Sequence, residues 1–119
     1  MSDIRMGPAE TQFAEIIWAS EPIASGELSR QAEETLRWKK TTSFTVLKRL
    51  CERGIFQNQK GIVTSLISRD EFFARHSEQY VQETFGGSLP AFMAAFSTRR
   101  KLTDKEIDEM KDLIEKMRG

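Results

Sequence analysis

Hydrophobic periodicity changes at Gly54, and that change limits the folds open to the chain. Before it, apolar residues recur at helical spacing; after it come two short β-branched or aromatic runs, IFQNQ and IVTSLI, separated by Lys60-Gly61. Such a pair predicts a β-hairpin with a basic tip. Upstream, Pro8 suits a first helical position, and Phe13, Ile16 and Ile17 share a face flanked by Trp18. This helix should end near Ser20, because Glu21-Pro22 disfavours helix. Ser25 is expected to cap a second helix with Leu28, Ala32 and Leu36 on one face, and Ile23-Ala24 to form a short strand before it. A third helix is predicted from about Lys40 to Arg53, stopped by Gly54, with Ser43, Val46, Leu47 and Leu50 buried.

Three helices followed by a hairpin is the order of a winged helix-turn-helix. The expected fold class is mainly α with a small β-hairpin wing: a winged helix-turn-helix DNA-binding domain over residues 7–68, then a helical dimerisation region over 69–119.

The start of the third helix is built from poor helix formers. Lys39 and Lys40 lead into Thr41, Thr42, Ser43 and Thr45, and hydroxyl residues at exposed positions add little to packing. They leave room for a close approach. Charge points the same way: of 18 basic and 18 acidic residues, seven basic ones (Arg37, Lys39, Lys40, Lys48, Arg49, Arg53, Lys60) fall in residues 37–61 against Glu52 alone. In a winged helix the third helix enters the DNA major groove and the hairpin touches backbone. Thr41, Phe44, Thr45 and Lys48 are therefore expected at base edges, where Thr offers a hydroxyl and a methyl and Phe an apolar contact. Lys39, Lys40, Thr42, Arg49 and Lys60 are expected on phosphates. The competing expectations are burial under the first helix for Phe44, and for Arg49 an ion pair with an acidic residue of the first 36.

The last third of the chain reads as three amphipathic helices. Ser68 to Glu71 fits a capping box, opening a helix with Phe72, Phe73, Tyr80 and Val81 that stops at Gly86-Gly87. Ser88 caps the next, in which Leu89, Phe92, Met93 and Phe96 share a face. Thr103 and Glu106 form a second capping box, with Leu102 and Ile107 as a hydrophobic staple. The final stripe is Ile107, Met110, Leu113, Ile114 and Met117. So much apolar surface after a complete small domain suggests an interface, with Phe73, Tyr80, Leu89, Phe92, Met93, Phe96, Ile107, Met110 and Ile114 in it; the other outcome is that these helices fold back onto the chain's own core.

Other classes of function find little support. The single Cys51 cannot form an internal disulfide, and no Cys or His cluster has metal-ligand spacing, so no metal and no cofactor are expected. Cys51 and the lone His76 are expected to be ordinary packing residues. No nucleophile and base pair, phosphate-binding glycine loop or carboxylate pair stands out, and the chain is not expected to be an enzyme. No apolar run spans a membrane and no signal peptide opens the chain, which predicts a cytoplasmic protein without membrane insertion.

With these elements in order, the chain resembles the penicillinase repressor (BlaI/MecI/CopY) family of bacterial winged helix-turn-helix regulators, from about Glu10 to Lys116. Phe-x-x-Ile-Ile-Trp at 13–18 resembles the family's first helix. Trp38, Thr42, Thr45, Leu47, Arg49, Leu50 and Gly54 resemble its recognition helix; Phe85, Gly87 and Ser88 resemble its F-x-GS turn; Leu102-Thr103 with Glu106-Ile107 resembles its last helix. Ser43 departs from the usual Val or Ile and Lys40 from a common Pro, while Val63 and Ser65 replace an aromatic residue and a Pro near the end of the wing. The resemblance implies a homodimer that binds an inverted-repeat operator in double-stranded DNA and represses transcription. In the penicillinase branch a membrane sensor triggers cleavage beside a Phe, usually after Asn; the matching pair here is Ala95-Phe96, and a membrane sensor or protease would be the antirepressor. The Cys-x-Cys pairs of the copper-responsive branch are absent. The alternative function is a winged-helix interaction module whose basic helix docks an acidic protein partner.

Overall fold

The structure is a computed structural model and describes residues 5–119. Its elements are α1 (Pro8–Ser20), β1 (Ile23–Ala24), α2 (Ser25–Leu36), α3 (Lys40–Glu52), β2 (Phe56–Gln59), β3 (Ile62–Ser65), α4 (Arg69–Phe85), α5 (Leu89–Ser97) and α6 (Asp104–Met117). Mainly helical, with one small antiparallel sheet in the order β1-β3-β2, it is a winged helix-turn-helix followed by a helical region. The chain forms two compact units, one ending at Ser77 and the other running from Glu78 to Gly119, and α4 contributes to both.

The first unit is organised around Phe13, Ile17, Leu28, Leu50, Ile55, Phe56 and Val63, all essentially inaccessible to solvent. Phe13 stacks on Trp38 at 5.1 Å between ring centroids. Trp18 packs against Phe56 and Phe72, each at 5.4 Å, and donates its indole N–H to the Ile67 carbonyl at 3.0 Å, tying α1 to the segment that enters α4. Burial of each large side chain contributes roughly 1.5–3 kcal/mol, enough to fix the three helices against the sheet. On α3 the buried residues are Ser43, Val46, Leu47 and Leu50, the set its periodicity predicts.

The hairpin turns on Lys60 (φ 53°) and Gly61 (φ 83°), with Gln59 paired to Ile62. Two successive positive φ values in a two-residue loop give a primed turn, whose twist matches that of the strands. Ile23 and Ala24 pair with Val63 and Ile62, completing the third strand. This pairing corrects the expected start of α2. Ser25 is already helical and its hydroxyl caps nothing; instead its N–H donates to the Gly61 carbonyl at 2.8 Å, so the sheet edge supplies the partner a cap would have supplied.

The second unit is built differently. Gly86 and Gly87 (φ 60° and 85°) end α4, and Ser88 caps α5 by accepting the Ala91 N–H at 3.1 Å. Thr103 and Glu106 close a full capping box at 2.9 and 3.1 Å, and the Glu106 carboxylate also takes two hydrogen bonds from Arg100. At the head of α4 only half of the expected box forms: Ser68 accepts the Glu71 N–H at 3.1 Å, but the Glu71 carboxylate pairs with Arg75 one turn on. Tyr80, Phe85 and Phe92 form a mutual edge-to-face cluster at 5.6–6.2 Å. No described residue between Glu78 and Gly119 is buried, and Leu89, Leu113, Ile114 and Met117 are more than half exposed.

Candidate nucleic-acid interface

Helix α3 differs from its neighbours at its N-terminus. The first N–H groups of any helix lack intrahelical partners and carry a partial positive charge, which a capping side chain or a first-turn carboxylate ordinarily offsets. Among the described helices, α1 has Glu10 in its first turn, accepting the Gly7 N–H, α2 has Glu27 in its first turn, and α4, α5 and α6 are capped by Ser68, Ser88 and Thr103. Lys39 at the corresponding position of α3 makes no side-chain cap, and the first turn holds no acid. The residues around it are cations instead. Arg37, Lys39 and Lys40 line an open depression of about 490 Å³ with Glu33 and Trp38, where the chain turns from α2 into α3 through Arg37 at φ 61°.

Along the exposed side of α3, Thr41, Thr45 and Lys48 follow one another at i, i+4 and i+7 and are exposed, as are Thr42 and Arg49 on the adjacent line. Thr41, Thr42, Thr45, Val46 and Arg49 line a second shallow depression of about 220 Å³. The Thr45 hydroxyl donates to the Thr41 carbonyl at 2.8 Å, so its proton is used within the helix and its lone pairs face outward. Lys60 is exposed at the tip of the wing.

For two residues the structure lies closer to the competing expectation than to a free DNA contact. Phe44 is half-buried against the core, with the Lys40 ammonium 5.8 Å from its ring centre. Arg49 lies 3.6 Å from the Glu10 carboxylate of α1 while its side chain stays about half exposed. Arg37 was assigned no contact from sequence, although the basic run 37–40 already contained the signal. Cys51 packs half-buried against the core, and burial, with Glu52 beside it, pushes its thiol pKa up. His76 stacks on Phe72 at 6.0 Å.

Of the residues expected at an interface, Phe73 is half-buried in the first unit, 5.2 Å from Phe72 and beneath the Arg69 guanidinium. Tyr80, Leu89 and Phe96 are exposed; Phe92, Met93, Ile107 and Met110 are half-exposed; Ile114 is 55% exposed. Ala95 and Phe96 sit in the last turns of α5, with Arg100 over the Phe96 ring. Among the described residues no group of His, Cys, Asp and Glu could hold a metal ion, and no helix is long and apolar enough to cross a membrane.

Three helices, a wing, and a third helix whose exposed start is uncapped, basic and lined with hydroxyls define a class: a winged helix-turn-helix regulator of transcription. The chain belongs to the penicillinase repressor family, whose sequence profile it matches over residues 6–116. It is 23% identical over 115 residues to the penicillinase repressor of Bacillus licheniformis, covering 93% of this chain and 90% of that protein. With the penicillinase repressor of Staphylococcus aureus the identity is 21% over 115 residues, covering 93% and 91% respectively.

Proposed function

We propose that this chain is a homodimeric, sequence-specific, non-enzymatic transcriptional repressor that works in the cytoplasm and binds an inverted-repeat operator with α3 in the major groove. The observation that carries the reading is the start of α3, whose free N–H groups and surrounding cations suit a backbone phosphate. Thr41, Thr45 and Lys48 reach base edges, with Phe44 offering at most the exposed part of its ring to a thymine methyl. Arg37, Lys39, Lys40, Thr42, Arg49 and Lys60 hold phosphates and fix register.

The second unit supplies the dimer. A segment of this length cannot bury a core alone, and its exposed stripes of Leu89, Phe96, Ile114 and Met117 call for a copy of themselves. In this reading residues 7–68 bind DNA and 69–119 dimerise, with the N-terminal turns of α4 packed on the DNA-binding domain through Phe72. If repression is lifted by a sensor-triggered cut between Ala95 and Phe96, α5 must first open, because the Ala95 and Phe96 carbonyls accept the N–H groups of Thr98 and Arg99 at 3.2 and 3.0 Å.

Footprinting on the promoter of the chain's own gene, with the number of chains per site measured on the same duplex, tests the reading. Two protected half-sites holding two chains are expected. A single chain per site would overturn the dimer, and no protection where an acidic protein is bound instead would favour the interaction module.

A further inference from the structure

Glu10 stands on α1 with its carboxylate facing α3. Its Oε1 accepts the Gly7 N–H at 3.4 Å, while its Oε2 is buried and makes no hydrogen bond among the described residues. That oxygen faces two cations, Arg49 Nη1 at 3.6 Å and Arg53 Nη1 at 3.9 Å. A buried carboxylate oxygen without a hydrogen bond depends on the charges around it. The two arginines are not equivalent. Arg53 is fastened to the Arg5 carbonyl at 2.8 Å, whereas among the described residues Arg49 has the loose ion pair alone and keeps about half its side chain in solvent. Arg49 also lines the depression with Thr42 and Thr45, along the side of α3 where a DNA backbone would pass. A phosphate and Glu10 therefore draw on the same guanidinium.

We propose that Glu10 is a specificity-setting residue of the DNA interface: it competes with backbone phosphates for Arg49. Phosphate contacts add affinity without reading sequence. By holding back one of them, Glu10 lowers binding to any duplex and leaves the base contacts of Thr41, Thr45 and Lys48 a larger share of the total. The proposal rests on the reading of α3 as the DNA-binding helix.

The test is equilibrium binding of the full chain to a random-sequence duplex over a range of salt concentrations, with Glu10→Gln, Arg49→Gln and the double variant. Gln keeps the acceptor that Gly7 uses. Release of a surface ion pair predicts that Glu10→Gln binds roughly two- to fivefold more tightly. One further neutralised phosphate per subunit predicts a plot of log K against log salt steeper by up to about 0.9 for each chain bound. In the Arg49→Gln background the same change should do nothing. Equal tightening in both backgrounds would overturn the proposal, since Glu10 would then act as a general charge; weaker binding by Glu10→Gln would overturn it too, since Glu10 would then position Arg49. If thermal melting shows Glu10→Gln unfolded, Glu10→Asp, which draws the carboxylate back by one methylene, replaces it and should tighten binding by a smaller factor. Absence of salt-sensitive binding by the unaltered chain would instead sink the DNA-binding reading itself.

Discussion

Ser65 donates both its backbone N–H and its hydroxyl to the Glu21 carboxylate, each at 2.8 Å. Ser65 ends β3 and Glu21 follows α1, so this one carboxylate ties the base of the wing to the first helix. Glu21→Ala leaves the Ser65 N–H without its partner and should cost about 1 to 2 kcal/mol in urea unfolding. Ser65→Ala keeps the backbone bond and should cost less. Equal losses would mean that the hydroxyl, rather than the N–H, holds the joint.

Thr45 separates reading from folding. Because its hydroxyl proton already serves the Thr41 carbonyl, it can only accept from a base, and its methyl is free for apolar contact. Thr45→Val keeps a methyl and loses the acceptor; Thr45→Ala loses the hydroxyl and the methyl. Both should stay within about 0.5 kcal/mol of the parent in stability. Operator preference should fall by about 1 kcal/mol for the loss of a single base contact. Competition binding with operator and scrambled duplexes measures this, and an unchanged preference would remove Thr45 from the readout.

Ile114 lies in the exposed stripe of α6. If that stripe is the dimer contact, Ile114→Asp should shift the sedimentation profile toward monomer. It should also abolish any rise of melting temperature with protein concentration, since the stability of an obligate dimer depends on protomer concentration. A variant that sediments as the parent does would place the dimer contact elsewhere.

Two half-exposed carboxylates carry a pH signature. Hydrogen bonds from Arg100, then from the Thr103 N–H, hold the Glu106 pKa down to about 2 from an ordinary 4.5. Arg30, then Gln31, hold Glu27 to about 2 likewise. A folded-state pKa below the unfolded one adds stability that is present above about pH 4.5 and is lost as the pH falls toward 2. Carboxylate titration by NMR should show both low midpoints, and Arg100→Gln should return Glu106 toward its ordinary value while leaving Glu27 where it was.

What the sequence disclosed was local. The span of α3 and its buried Ser43, Val46, Leu47 and Leu50 follow from helical periodicity and Gly54; the wing follows from Lys60-Gly61 between β-rich runs; the Ser88 and Thr103 caps follow from hydroxyls at the right offset. What it concealed depends on contacts between distant residues. Ser25 loses its capping role because the sheet edge at Gly61 meets its N–H. Glu71 turns to Arg75 rather than back to its own helix start, a choice among neighbours that spacing does not decide. Phe44 is outward by helical angle, but its long side chain reaches the core edge. The ion pair of Arg49 with an acid of the first 36 residues is one of two open expectations, and which acid it meets is fixed only by the packing of α1 on α3.

The central claim is that α3 reads DNA. It is tested most directly by fluorescence anisotropy of the full chain on the duplex upstream of its own gene and on a scrambled duplex, each at low and high salt. The account predicts tight binding that favours the native duplex, takes up two chains per site and weakens steeply with salt as several phosphates per subunit are released. Binding that is weak, indifferent to sequence and insensitive to salt would contradict it and turn attention to a protein partner for the same helix.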